Sequence, residues 1–374
     1  MAAPDLLTTV LRDVSRSFYL TMRVLPGSIR RQIGLAYLLA RATDTIADTE
    51  IVPVERRLAA LHDLRDRILE VHGKRLDFSE FTKREPNSPT PFLAQCENAL
   101  RDIEYDKLTD PTRVTGNGSE AERTLLQRIE EILSVLTTFG AEDQQRIRDV
   151  LKTITGGQEL DLQRFGHATP NSIVALGTLE ELDDYTYRVA GCVGEFWTRT
   201  CRAHVFPRAE IADKQLLSDG VRFGKGLQLV NVLRDLPTDL RHGRCYLPLR
   251  QLEKLGLRPA DLLQSKNEKR LRPLYDELLR LTEDHLRAGW EYTKILPRSC
   301  VRVRLACAWP ILIGARTVAK LRAHNVLDST QRIKISRREV KHIMVRSVVA
   351  YPSTRWWNRL FERAAQVESH AYEP

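Results

Sequence analysis

The sequence predicts an all-α protein, and three observations carry that prediction. Across five long stretches, 6–69, 124–155, 179–205, 220–240 and 267–295, apolar residues recur at three- and four-residue intervals, the period of a helix with one face turned to a core. Strict alternation of apolar and polar residues is scarce, so strands are not expected. Turn-forming residues gather in two main places. These are 78–91, with Glu85-Pro-Asn-Ser-Pro-Thr-Pro91, and 107–120, with Asp110-Pro and Thr115-Gly-Asn-Gly-Ser119. Both read as exposed loops inside one domain covering 1–374, because neither internal repeat nor low-complexity run divides the chain.

Composition narrows the partners. The 374 residues, 42% hydrophobic and 29% charged, are enough for a large core, and the net charge of +9 favours anionic partners: phosphorylated substrates, an acidic membrane surface or nucleic acid. Nucleic acid is not expected, since the basic run of Lys334, Arg337, Arg338 and Lys341 lacks interleaved aromatics and a reading motif. Six cysteines occur without a C-x-x-C pair or a signal-peptide pattern, so reduced thiols in the cytoplasm are expected, with neither disulfide framework nor zinc site. The longest apolar run, 306–315, is about half of the roughly 20 residues a membrane span needs.

The chemistry begins at Tyr37-Leu-Leu-Ala-Arg-Ala-Thr-Asp-Thr-Ile-Ala-Asp48. On a helix, Tyr37, Arg41, Asp44 and Asp48 share an arc of about 60°. Leu35, Leu38, Leu39, Ala40, Ala42 and Ile46 occupy most of the rest, so the helix should be buried around a single polar stripe. Carboxylates without partners on a buried helix cost several kcal/mol each, which is tolerable where a cation or a solvated cavity meets them. A second segment repeats the pattern: Gln228, Asn231, Asp235 and Asp239 fall within about 80° of one face, again among apolar residues. Two such D-x-x-x-D stripes can face each other across a cavity and hold Mg²⁺, an ion that keeps several waters and is completed by phosphate oxygens.

Four blocks, in this order and spacing, resemble the squalene/phytoene synthase family. They are Val14-Ser-Arg-Ser-Phe18, the Tyr37 to Asp48 segment, Asp184-Tyr-Thr-Tyr-Arg-Val-Ala-Gly-Cys-Val-Gly194, and the run from Asn231 through Arg234-Asp-Leu-Pro-Thr-Asp239 to Pro248. The resemblance covers about 10–345 and implies a single-domain helical bundle of the isoprenoid synthase type with a central cavity. It further implies Mg²⁺ held by Asp44, Asp48, Asn231, Asp235 and Asp239, and prenyl diphosphate contacts from Arg16, Ser17, Phe18, Gln228 and Arg234. Arg41, Tyr37 and Tyr185 are implied to be catalytic, Tyr185 in proton removal during cyclopropane closure. Gly191 and Gly194, with Ala190, read as places of close helix contact.

Two features depart from the family pattern. Pro237 interrupts the second stripe and is expected to shift Asp239 off the line of Asp235. Ala47 stands where eukaryotic squalene synthases carry a third acidic residue. Near the C-terminus, Ala306-Cys-Ala-Trp-Pro310 and Ile333-Lys-Ile-Ser-Arg-Arg-Glu-Val340 look like parts of squalene synthases associated with NADPH, implying cofactor contacts from Arg16, Arg234, Lys334 and Arg337, with Ser336 standing where the eukaryotic enzymes have arginine. The expectation is therefore condensation of two farnesyl diphosphates through presqualene diphosphate to squalene, with peripheral membrane association. Phytoene or dehydrosqualene formation without reduction is the alternative, and a non-catalytic assembly factor on the same fold a remoter one. Gly220-Val-Arg-Phe-Gly-Lys-Gly226 lacks phosphate-loop spacing, no G-x-G-x-x-G or H-E-x-x-H occurs, and Lys225 reads as a solvated or substrate-edge charge.

Overall fold

The structure, a computed structural model, describes residues 6–15, 22–71, 73, 75–82, 119–330 and 333–366, and most of these lie in helices. The chain forms two compact units, Met1–Gln163 and Arg164–Pro374.

In the first unit a π-helical turn (Leu6–Val10) leads into α1 (Leu11–Ser15), followed by α2 (Gly27–Asp48), α3 (Val54–Ile68) and the short α4 (Ser79–Thr82). Both α2 and α3 start directly after a proline, Pro26 and Pro53. Proline's fixed φ and missing N–H do no harm at a helix start, where that donor has no partner in the helix. Then come α5 (Glu120–Gln127), α6 (Ile129–Leu136) and α7 (Ala141–Phe165), whose last two residues pass the unit's boundary. A capping box starts α5: the Ser119 hydroxyl accepts from the Glu122 amide, and the Glu122 carboxylate accepts from the Ser119 amide at 2.7 Å. Ile29, Ile33, Leu35, Leu38, Leu39, Ala42 and Ile46 are all buried, so α2 is enclosed around most of its circumference, as its sequence predicts.

The second unit holds α8 (Leu179–Thr186), a π-helical turn (Tyr187–Gly191), α9 (Cys192–His204), α10 (Asp213–Arg241), α11 (Leu249–Lys254), α12 (Glu268–Ile295), α13 (Val301–Ala323), α14 (Arg337–Ala350), α15 (Thr354–Asn358) and α16 (Leu360–Ala365). Two-residue parallel strands, β1 (Val174–Ala175) and β2 (Arg244–Cys245), are a small exception to the helical expectation. At the centre, α10 packs against α9, α12 and α13. Its crossing with the π turn and α9 is backbone on backbone: a Cβ at Gly194 would stand 1.9 Å from the Gly220 carbonyl oxygen, and one at Gly224 would stand 2.1 Å from that of Ala190. Only glycine permits this approach. The C-terminal helices are pinned by Trp290, stacked on Trp357 (5.3 Å) and on Phe361 (6.2 Å), and by the Trp309 indole N–H donating to Ser347 Oγ at 2.9 Å.

Helices cover most of the described parts of all five periodic stretches, with breaks at 49–53 and 137–140. By contrast α13, buried nearly throughout, shows in the sequence only as an apolar run, because a helix apolar all round has no stripe to detect. Cys192, Cys201, Cys245, Cys300 and Cys307 are free thiols; Cys96 and most of both predicted loops lie outside the described residues.

Alanine is the better helix former by about 1 kcal/mol, so Gly194→Ala would stabilise α9 if space allowed. The 1.9 Å approach to backbone reverses that sign. Urea denaturation of Gly194→Ala is expected to show a loss of about 1–3 kcal/mol. Gly27→Ala, with nothing near its added Cβ, is expected to match or exceed the parent.

Candidate active site

On α2 the predicted stripe is the least covered line of an otherwise buried helix: Tyr37, Arg41 and Asp44 are half-buried and Asp48 is exposed. Two partners that the sequence reading missed hold it in place. Glu122, from the capping box of α5, pairs with the Arg41 guanidinium, and Gln158 of α7 donates from Nε2 to the Asp44 carboxylate. Arg41 also stands 3.8 Å from Asp44, and the Tyr37 hydroxyl donates to the Val14 carbonyl at 3.4 Å. Burial works to raise Glu122, but the Arg41 charge and the hydrogen bonds at Ser119 outweigh it and hold this carboxyl below its ordinary range. Asp44 goes the other way: crowding by protein and then the Asp48 charge push it up to about 6, against the pull of Arg41 and Gln158. Its side chain is nonetheless 47% exposed, so a cation can reach it.

On α10 Gln228, Asp235 and Asp239 are half-buried and Asn231 is exposed, between buried Leu229, Val230, Val232, Leu233, Leu236 and Leu240. The helix runs unbroken through Pro237 to Arg241, so the expected displacement of Asp239 is corrected: it remains one turn beyond Asp235. Arg234 grips Asp235 with two hydrogen bonds, Nε to Oδ1 at 2.8 Å being one. Burial opposes the Arg234 charge, but Asp235 and Asp239 more than compensate and raise its pKa.

Tyr185 lies on α8, immediately before the π turn. Its ring stacks on Tyr246 at 4.6 Å, and its hydroxyl oxygen accepts from Gln228 Nε2 at 3.2 Å. Tyr246 follows β2, and Phe165 meets it edge to face at 5.2 Å, so the short strand pair anchors the surface against which Tyr185 rests. Gln228 thus joins the acidic stripe to the phenol. Lys225 is no solvated charge: it pairs with Asp183 at 2.6 Å.

Arg16, Ser17 and Phe18 lie outside the described residues. The Lys334 carbonyl accepts from Lys320 Nζ at 3.2 Å, and Arg337 is exposed on the first turn of α14. Ser336 has a structural task, capping α14 together with Glu339. Glu339, despite its burial, is held down to about 2 by Lys320, Ser336 and Arg316. A pocket of about 310 Å³ elsewhere in this unit, lined by Lys294, Arg298, Arg304, Tyr351 and Trp357 among others, contains none of the predicted site residues. Among the described residues no group of three or more His, Cys, Asp or Glu is placed to hold a metal ion; each stripe offers two carboxylates.

A family model described as squalene/phytoene synthase matches residues 11–339. A bifunctional lycopene cyclase/phytoene synthase of Gibberella fujikuroi is 30% identical over 275 residues, 72% of this chain and 39% of that protein; the chain spans about two fifths of the length of these bifunctional relatives. A presqualene diphosphate synthase of Sinorhizobium fredii is 27% identical over 290 residues, 76% of this chain and 77% of the relative. Among solved structures, a ligand complex of the squalene synthase TcSQS shares the fold, with a TM-score of 0.71 at 19% identity over 98% of this chain and 92% of that one.

A folded value near 6 stands above the ordinary 3.8, so metal-free protein binds the Asp44 proton more tightly than the unfolded chain does. That contribution is full below the unfolded value and is lost as pH rises through the folded one. Asp44→Asn is therefore expected to raise the Tm of chelator-treated protein at pH 7, with the gain shrinking as pH falls from about 6 to about 4. A gain that does not vary with pH across that window would locate the strain in another group.

Proposed function

The chain belongs to the squalene/phytoene synthase family, and from that premise we propose that it joins two farnesyl diphosphates head to head and carries the cyclopropyl diphosphate product on to squalene. The observation supporting this most is the pair of acidic stripes, each carried between buried apolar residues and left at least partly open. A half-exposed Asp44 whose charge is poorly solvated without a counter-ion suits Mg²⁺, with Asp48 one turn on; on α10, Asn231, Asp235 and Asp239 are the oxygen ligands the family resemblance implies. Substrate phosphate oxygens and water complete such a site. Bound there, Mg²⁺ takes up the negative charge that builds on a departing diphosphate.

The chain's own side chains supply the rest. Arg41, paired with Glu122, and Arg234, beside Asp235, carry guanidinium charge suited to a diphosphate; Arg16 and Ser17 are the further diphosphate contacts the family resemblance implies. One diphosphate leaves, its allylic carbon bonds to the double bond of the second prenyl chain, and loss of one proton closes the three-membered ring. Tyr185 guides that proton away, its oxygen held by Gln228 and its ring by Tyr246. Tyr37 braces the Arg41 line through Val14, and Phe18 shields the cation. For the second stage Lys334 and Arg337, with Arg16 and Arg234, would hold NADPH, whose chemistry there would be to supply a hydride. The second reading is a reaction without reduction: release of presqualene diphosphate, favoured by the similarity to a presqualene diphosphate synthase, or formation of phytoene or dehydrosqualene, of which phytoene is favoured by the similarity to a lycopene cyclase/phytoene synthase.

No helix among the described residues is long and apolar enough to cross a membrane. Exposed Val345, Val348, Val349 and Trp356 on α14 and α15 sit among exposed Lys341, Arg346 and Arg355, a combination suited to peripheral contact with anionic lipid in the cytoplasm.

Incubation of the protein with farnesyl diphosphate and Mg²⁺ is expected to give squalene with NADPH and presqualene diphosphate without it. Presqualene diphosphate or dehydrosqualene from farnesyl diphosphate regardless of NADPH, or phytoene when geranylgeranyl diphosphate is supplied instead, would select the second reading, and full turnover by Asp44→Asn or Asp235→Asn would remove the metal assignment. Sedimentation with phosphatidylglycerol vesicles at low salt is expected to carry the protein down. Replacing Val345, Val348 and Trp356 with serine should leave it in the supernatant; equal recovery of both proteins in the pellet would point to another surface.

A further inference from the structure

Pro237 stands between the two carboxylates of the second stripe, and it lacks the N–H that the Leu233 carbonyl, one turn back, would otherwise accept. Leu233 is fully buried, so water does not replace that donor. The helix nevertheless continues to Arg241. The missing donor comes from a different helix: Tyr275 of α12, itself fully buried, directs its hydroxyl at the Leu233 carbonyl oxygen at 2.8 Å.

We propose that Tyr275 is a positioning residue for the metal stripe, supplying through its hydroxyl the hydrogen bond that Pro237 removes and so keeping Asp239 in register with Asp235. The inference rests on the magnesium reading of that stripe. The carbonyl it serves belongs to the residue two before Asp235, so a turn that opens there swings Asp235 and Asp239 apart, and both must address the same ligand cluster. Burial pushes the Tyr275 hydroxyl above its ordinary value, which keeps it protonated and a donor throughout the working pH range. No local pattern in the sequence links Tyr275 to Leu233, and the bond crosses 42 positions.

A plain packing role would cost stability and leave metal binding alone, so the test is a double-variant cycle. Four proteins are compared: the parent, Tyr275→Phe, Pro237→Ala, and the double variant, in which alanine returns the N–H at position 237. Three quantities are read: the Mg²⁺ concentration for half-maximal turnover, the affinity for Mn²⁺ with inorganic pyrophosphate by calorimetry, and hydrogen exchange of the amides of 238–241. Tyr275→Phe is expected to weaken both metal readouts about tenfold, with turnover at saturating Mg²⁺ kept within about twofold and exchange at 238–241 accelerated. In the Pro237→Ala background the same substitution is expected to leave all three unchanged. An equal loss in both backgrounds, or a lower Tm with unchanged metal dependence, overturns the proposal. If Asp235→Asn and Asp239→Asn both leave Mn²⁺ affinity intact, the magnesium reading itself has failed, and the exchange data still decide whether Tyr275 closes the gap at Pro237.

Discussion

A carboxylate set on a helix that is otherwise buried must be met by something, and in both units the surrounding structure answers to that requirement. Around Asp44 the answer is a chain of four residues: Gln158 donates to the carboxylate, Arg41 stands beside it, Glu122 balances Arg41, and Ser119 fixes Glu122 by capping α5. Each link satisfies the polar group before it, and the last is an ordinary feature of helix initiation. The balance is incomplete, since Asp44 remains raised to about 6 while partly open. That residual frustration is what an incoming cation would relieve.

In the second unit α10 meets two opposing demands. Toward α9 and the π turn it presents glycine and packs backbone against backbone, which fixes its axis closely. Toward its acidic line it carries proline, which weakens the same helix. Tyr275 reconciles them from α12, a helix held against α10 by its own close contacts at Gly226 and Gly289. A one-turn defect is thereby confined to a hydrogen bond made by a different partner.

The neighbourhood of Tyr185 shows how small elements position one phenol. Two strand residues and a positive-φ Gly243 turn the chain back after α10, and Tyr246 then lies under the Tyr185 ring. The π turn after α8 changes the helical phase at that point, an irregularity frequent beside functional side chains.

Read by itself, the sequence determined the helical class, the burial of α2 and α10 and the identity of both polar stripes. Each of these depends on periodicity within one helix, and a local repeat is visible along the chain. It also pointed to Gly194 as a place of close approach. Only the tertiary structure decided what meets each stripe. Gln158 and Glu122 stand 114 and 81 positions from their partners, and Tyr275 is 42 from Leu233, distances over which no local pattern connects donor to acceptor. The effect of Pro237 was misjudged for the same reason: a single-helix argument correctly counts the lost N–H and cannot see a hydroxyl supplied from another helix. Helix α13 escaped because burial on every side erases the periodicity that would reveal it.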